Sequence, residues 1–168
     1  VIGSYERLLT GVGNGQSPAE QFRRLLAEYE GNGGASANVY AFGLNRSSAL
    51  RRTALLGNYI LADLNLTAHL ALLGRFVCLP EHLQSLRSHP GSSSWFVGAE
   101  WDNDTMQEFF DPTVRTRLQR SLALRRHHLE YPRAVLWSDL PWREKLSLLV
   151  LTAQPPLRLA RRKVARVL

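Results

Sequence analysis

The chain has 168 residues, of which 45% are hydrophobic and 21% are charged, and its formal net charge is +7. This composition excludes a disordered tail and is sufficient for one or two compact domains. The single cysteine excludes an intrachain disulfide and both the Cys₄ and the Cys₂His₂ zinc clusters, so packing must hold the fold together.

The clearest predicted element is a helix that begins at Pro18. Ser17 precedes this helix and Glu20 occupies its third position, which is the capping-box pattern. The apolar residues that follow recur at helical spacing and form one stripe. They are Phe22, Leu25, Leu26 and Tyr29. A glycine-rich run that starts at position 31 predicts the end of the helix.

From residue 36 to residue 77 the sequence is helix-like, with expected breaks near 43–48 and 63–67. Between Thr53 and Gly74 only Asp63 is charged, and a segment of this length would reach across a bilayer. Its other polar residues would each need a partner in hydrocarbon, so we expect a buried hairpin of two helices instead. Because Asn65 lies in this buried segment, we discount its glycosylation sequon.

A boundary is predicted after a short helix over 81–88, where the sequence becomes rich in glycine and serine. Residues 95–111, which follow, contain five acidic side chains and no basic one. Three regions are therefore expected, which together form one domain. They are a helical core region (1–90), an acidic and aromatic connector (91–111) and a basic helical region (112–168) that packs on the same core.

The basic character belongs to the C-terminal third, since residues 112–168 hold 13 basic and 3 acidic side chains. Asp111 and Pro112 repeat the pattern of a cap followed by proline, so we expect a helix that starts there and ends at Pro132. One face of this helix is predicted to be buried and the other to be basic. The buried residues would be Val114, Leu118, Leu122 and Leu129, and the basic ones Arg115, Arg120 and Arg126.

Two further helices are expected after Pro132. The first would begin at Ser138 or Asp139 and break at 155–156, where two prolines are adjacent. Its apolar residues are Leu146, Leu149 and Val150. The second would begin at about Leu157. Strand-like sequence is limited to 95–97 and 134–137, which are too short to imply a sheet. We therefore predict an all-α fold, an irregular helical bundle of about six to eight helices with little or no sheet.

Three motifs resemble catalytic or metal sites, but their context argues against each. The aspartates of 102–105 have the spacing of a phosphotransferase motif, yet the chain lacks the parallel sheet and the downstream residues of such an enzyme. Cys78 and His82 are separated by Pro80, so they need not share a helical face. His127 and His128 are adjacent and point about 100° apart on a helix. We therefore predict no catalytic residue, no metal site and no cofactor.

The sequence predicts a full set of helices but no catalytic residue. This combination indicates a non-enzymatic helical subunit or interaction module of a larger macromolecular assembly. It would dock through its basic C-terminal helices on other protein subunits that have an acidic surface. The predicted contact residues are Arg115, Arg120, Arg126, Arg158, Arg161, Arg162, Lys163 and Arg166.

Two alternatives use the same basic side chains or the apolar segments. Arginines also suit phosphates, so one alternative is an RNA- or DNA-contacting component of a ribonucleoprotein. The other is a membrane-associated subunit, held on an anionic membrane surface through 53–74 or 157–168. The expected location is intracellular, in the cytoplasm or in an organelle after removal of a targeting segment.

Overall fold

The computed structural model describes residues 17–32, 37–77 and 110–164. The regular elements in these ranges are all helical, which confirms the all-α prediction. The α-helices are α1 (Pro18–Asn32), α2 (Ser47–Leu50), α3 (Ala62–Leu73), α4 (Arg117–Trp137) and α5 (Trp142–Val164), and a 3₁₀ helix (Ala37–Phe42) lies between α1 and α2. The helix expected over 81–88 falls outside the described residues, so the total of six to eight stays a prediction.

Helix α1 forms as its sequence pattern predicts. The backbone N–H of Glu20 donates to Oγ of Ser17 (3.3 Å), which satisfies one of the donors left free at the start of a helix. The predicted apolar stripe faces the core, where Phe22 and Leu25 are almost completely buried. Helix α1 ends at Asn32, within the glycine-rich run.

The core forms where α1, α3, α4 and α5 meet. Phe22 of α1 packs edge-on against Tyr131 of α4, with ring centroids 6.3 Å apart. Ala68 of α3 and Leu148 of α5 are completely buried in the same cluster. Burial of this apolar surface supplies the main favourable term in folding.

The predicted hairpin over 53–74 is replaced by one helix, α3, which has 12 residues. The expected break at 63–67 is wrong, because Asp63 lies in the first turn of α3, where a carboxylate is favoured. Thr67 supports the helix by donating its hydroxyl proton to the carbonyl of Asp63 (2.9 Å). The non-helical part lies earlier, and Leu61 enters α3 at a φ of 65°. The predicted burial of Asn65 is confirmed.

Helix α4 begins later and ends later than its sequence predicts. Asp111 does not cap it, because its carboxylate accepts from the backbone N–H of Thr113 in a turn (3.0 Å). Thr116 is the cap, and it exchanges two hydrogen bonds with Gln119 in a capping box. The helix continues through Pro132, which removes one hydrogen bond but retains a helical φ, and it includes the strand-like residues 134–137.

Helix α5 also differs from its prediction at both ends. Ser138 does not open it. Instead, the Ser138 hydroxyl donates to the carbonyl of Val135 (2.7 Å) at the end of α4. The first turn of α5 closes when the N–H of Lys145 donates to the carbonyl of Pro141 (3.1 Å). The helix then continues through 155–156 without the predicted break, although an interior proline loses an N–H bond and crowds the carbonyl of the preceding turn.

Candidate functional site

The outer surface of α4 carries a row of exposed leucines. The exposed fractions are 71% for Leu118, 55% for Leu122, 67% for Leu129 and 49% for Leu136. The predicted burial of Leu118, Leu122 and Leu129 is therefore wrong, and Val114 is only half-buried. We call these four exposed leucines the leucine face.

The leucine face is a continuous stripe because of its spacing. At 100° per residue, the four side chains fall within about 40° of one another around the helix axis. Leu118 and Leu136 are separated by about 27 Å along α4 at the usual rise per residue. Arg125 and Pro132 occupy the intermediate turns of the same stripe, and Arg125 is exposed. The stripe is therefore apolar along its length, with one positive charge near its middle.

The opposite face of α4 packs on the core although it is partly polar. Its buried residues are His127, Glu130, Tyr131, Ala134 and Val135. The hydrophobic pattern alone favoured the leucine face for burial. The polar face is buried instead, with His127 hydrogen-bonded to Asn65 of α3 and one oxygen of Glu130 hydrogen-bonded to Arg133 of α4 itself.

Asn65 and His127 form the first of these contacts. Nδ2 of Asn65 donates to the backbone carbonyl of His127 (3.0 Å), and Nδ1 of His127 donates to Oδ1 of Asn65 (2.9 Å). Burial, with the neighbouring His128 as the second cause, lowers the pKa of His127 to about 3. The imidazole is therefore neutral at physiological pH, with its proton on Nδ1.

Glu130 forms the second contact, and it joins two arginines to the core. NH1 of Arg133 donates to Oε1 of Glu130 (3.2 Å), and Nε of Arg126 lies 3.8 Å from the same oxygen. The other oxygen, Oε2, faces Nε2 of His69 at 3.9 Å, too far for a hydrogen bond. Burial lowers the pKa of His69 although Glu130 opposes the shift, so we regard this pair as a neutral imidazole beside a carboxylate and not as an ion pair.

Two arginines beside the leucine face also contact aromatic rings. The guanidinium of Arg126 lies 5.1 Å from the ring centre of Tyr59, and that of Arg133 lies 4.0 Å from the ring centre of Trp137. Both positions are within cation–π range. Burial, with the charge of Glu130 as the next cause, raises the pKa of Tyr59 to about 12. These arginines therefore stabilise the fold and also contribute positive charge to its surface.

The predicted contact residues are not brought together as one described cluster. Arg115 and Arg126 are exposed near the start and in the middle of α4. Arg120 belongs to α4, and Arg158, Arg161, Arg162 and Lys163 belong to α5, but only the backbone of these five is described. Arg166 lies outside the described residues. The predicted use of the α5 side chains for docking therefore remains a prediction.

A pocket of about 80 Å³ opens between α1, α4 and α5. Leu26, Tyr131 and Leu151 contribute to its mainly apolar wall. Arg23 lies at the pocket but donates to Oγ of Ser147 (3.1 Å). Pockets that bind organic ligands are usually at least about 300 Å³, so this pocket gives no reason to propose a substrate site.

The part of the chain that the structure describes contains neither a metal-binding cluster nor a membrane-spanning helix. In that part, no three His, Cys, Asp or Glu side chains lie close enough together to hold a metal ion. No helix there is both long and apolar enough to cross a bilayer. Comparisons with models of known protein families, with curated proteins and with solved structures found no match to this chain.

Sequence reasoning missed the two features that define this surface. The sequence pattern predicts Leu118, Leu122 and Leu129 on a buried face, and it places Leu136 in a strand-like segment. Arg125 was not among the predicted contact residues, although its place in the stripe is visible from its spacing to Leu122 and Leu129. The polar pairs across α3 and α4 join residues 62 and 61 positions apart, so no local pattern could indicate them.

Proposed function

We propose that this protein is a non-enzymatic helical interaction module of a larger assembly and that it docks on another protein through the leucine face of α4. The observation that carries this proposal is the exposure of four leucines in one row on a single helix. Scattered exposed leucines are common on soluble proteins. Contiguous apolar patches are less common, and they mark surfaces that bind other molecules.

The charge of α4 supports a partner with an acidic surface. The helix contains five arginines and one acidic residue, Glu130, and Glu130 is buried against the core. The outward surface therefore presents leucines and positive charges without an acidic side chain of the same helix. Such a surface attracts acidic partners over a distance and repels basic ones.

The stability of α4 in the fold also supports an interaction role. Its inner face is held by the two hydrogen bonds between Asn65 and His127 and by packing around Val135. The leucine face contributes to none of these contacts among the described residues. Its side chains can therefore be changed with little expected effect on folding, since exposed substitutions usually change stability by less than about 0.5 kcal/mol.

The test compares the native size of the wild-type chain with that of a Leu122→Ser/Leu129→Ser variant, each expressed in the source cell. We expect the wild type to migrate in a large complex and the variant to migrate mostly alone. A matched control, Leu44→Ser/Leu56→Ser, changes two leucines that are exposed elsewhere and should remain in the complex. Thermal unfolding of all three purified proteins should be nearly the same.

Two results would contradict the proposed function. The variant could remain in the complex, which would show that the leucine face does not hold the partner. Alternatively, the isolated variant could leave the complex and also unfold at a much lower temperature than the wild type. This result would place the leucines in this chain's own core. Collapse of the complex on nuclease treatment would instead favour the ribonucleoprotein alternative.

An intracellular location is part of the proposal.

A further inference from the structure

We infer that the partner surface recognised by the leucine face is an acidic amphipathic helix, with an acidic side chain placed opposite Arg125. This inference rests on the proposed function, because it specifies the chemistry of the partner at the same surface. It goes further in two ways. It names the secondary structure of the partner segment, and it assigns one specificity-determining residue on α4.

The spacing of the stripe matches a helix as the partner. Residues 118, 122, 125, 129, 132 and 136 alternate steps of four and three, which is the repeat of a coiled-coil seam. A second helix that packs along such a seam places its own side chains between those of the first. At about 27 Å, the stripe is long enough for roughly five turns of a partner helix. A flat or irregular surface would not need this repeat.

Arg125 determines the charge of the partner. It is exposed and lies about 20° beyond the sector of the four leucines around the helix axis, and it forms no ion pair with another described residue. A helix packed on the leucine face would remove this guanidinium from water. An unpaired buried charge is strongly unfavourable, whereas a carboxylate in contact compensates the lost hydration. The favoured partner therefore carries Asp or Glu at the facing position.

The position of Arg125 argues against three other occupants. A second copy of α4 would bring arginines against arginines, because α4 has no exposed acidic side chain. A membrane-bound helix keeps its charges on the polar face, whereas Arg125 would be pressed into the hydrocarbon with the leucines. Nucleic acid would pair with the guanidinium but would leave the leucines against phosphates and sugars, without an apolar partner.

The experiment measures binding of two fluorescent peptides to the full chain by anisotropy in physiological salt. Both peptides have about four heptads with leucine at a and d. One carries glutamate at e and g and at a single seam position, and the other carries lysine at the same places. We expect the acidic peptide to bind at least about tenfold more tightly, since like charges in an interface are strongly disfavoured.

Variants separate the role of Arg125 from general attraction to a basic protein. Arg125→Glu should remove most of the preference for the acidic peptide. Arg75→Glu changes the net charge equally at an exposed site after α3 and should retain that preference. A peptide that has lysine only at the seam position should recover binding to Arg125→Glu. Circular dichroism checks that each variant remains helical.

Equal binding of the two peptides would overturn the inference, and so would equal effects of Arg125→Glu and Arg75→Glu. Binding to phosphatidylserine vesicles or to single-stranded RNA that depends on the leucine face would also overturn it, in favour of those ligands. If Leu122→Ser/Leu129→Ser releases the native complex while the peptides bind equally, the proposed function stands and only the acidic helix is refuted. If that variant leaves the native complex intact, the proposed function itself fails.

Discussion

Acidification should destabilise this protein through His127. The side chain is buried and its folded-state pKa is about 3, whereas an unfolded histidine has a pKa near 6.5. The unfolded chain therefore binds the proton more tightly than the folded one. The stabilising effect of the neutral imidazole is complete above about pH 6.5 and is lost progressively as the pH falls toward the folded-state value.

The expected loss can be worked out from these two pKa values. Between pH 7 and pH 5, one histidine with this shift removes about 2 kcal/mol from the free energy of unfolding. The result changes little with the folded-state pKa as long as that value stays below about 4. Since the whole stability of a domain is about 5–15 kcal/mol, this loss is large. The pKa of His69 is also lowered by burial, so His69 acts in the same direction.

Urea unfolding at pH 7, 6 and 5 measures this effect in the wild type and in a His127→Gln variant. The substitution lowers stability at every pH, because it disturbs the contact with Asn65, but it removes one titrating group. The wild type should therefore lose about 2 kcal/mol more than the variant between pH 7 and pH 5. Glu28, whose pKa is raised by burial, opposes the trend equally in both proteins. Parallel pH profiles would refute the assignment of a buried neutral imidazole.

Two further predictions test the core and the start of α4. Leu25→Ala should cost about 2–5 kcal/mol in urea unfolding, because it leaves a cavity beside Phe22, while Leu44→Ala at a fully exposed site should cost almost nothing; similar losses for both would contradict the packing described for α1. Thr116→Ala should cost about 1 kcal/mol by removing the side-chain cap, and Thr116→Ser should retain most of it. An unchanged Thr116→Ala protein would indicate that the cap lies elsewhere.

Much of α1 could be predicted because its information is local. Ser17 and Glu20 are three residues apart, and its apolar stripe repeats every three to four residues. The all-α class could be predicted for the same reason, since helical periodicity recurs along much of the chain. Prolines were less informative. A proline inside a helix loses one hydrogen bond and crowds the preceding turn, but its φ is compatible with a helix. Both α4 and α5 continue through prolines at which the sequence predicts an end.

The burial of α4 could not be predicted from its own residues. The helix has one face of leucines and one of mixed polarity, and hydrophobicity favours the first for the core. The second is the one that is buried, where Asn65 of α3 hydrogen-bonds to His127 and His69 of α3 lies beside Glu130. Those partners are about 60 positions away in sequence, and only the tertiary structure places them.

The sequence alone therefore determined which segments can form helices, where the positive charge is concentrated and which core residues belong to α1. The tertiary structure decided which side of α4 meets water. The physical reason is that local propensity depends on neighbours within a few residues, whereas burial of a polar face depends on whether distant groups satisfy its hydrogen bonds. The opposite side of α4 is buried with Asn65 as the distant hydrogen-bond partner of His127, and the leucine face is left toward water.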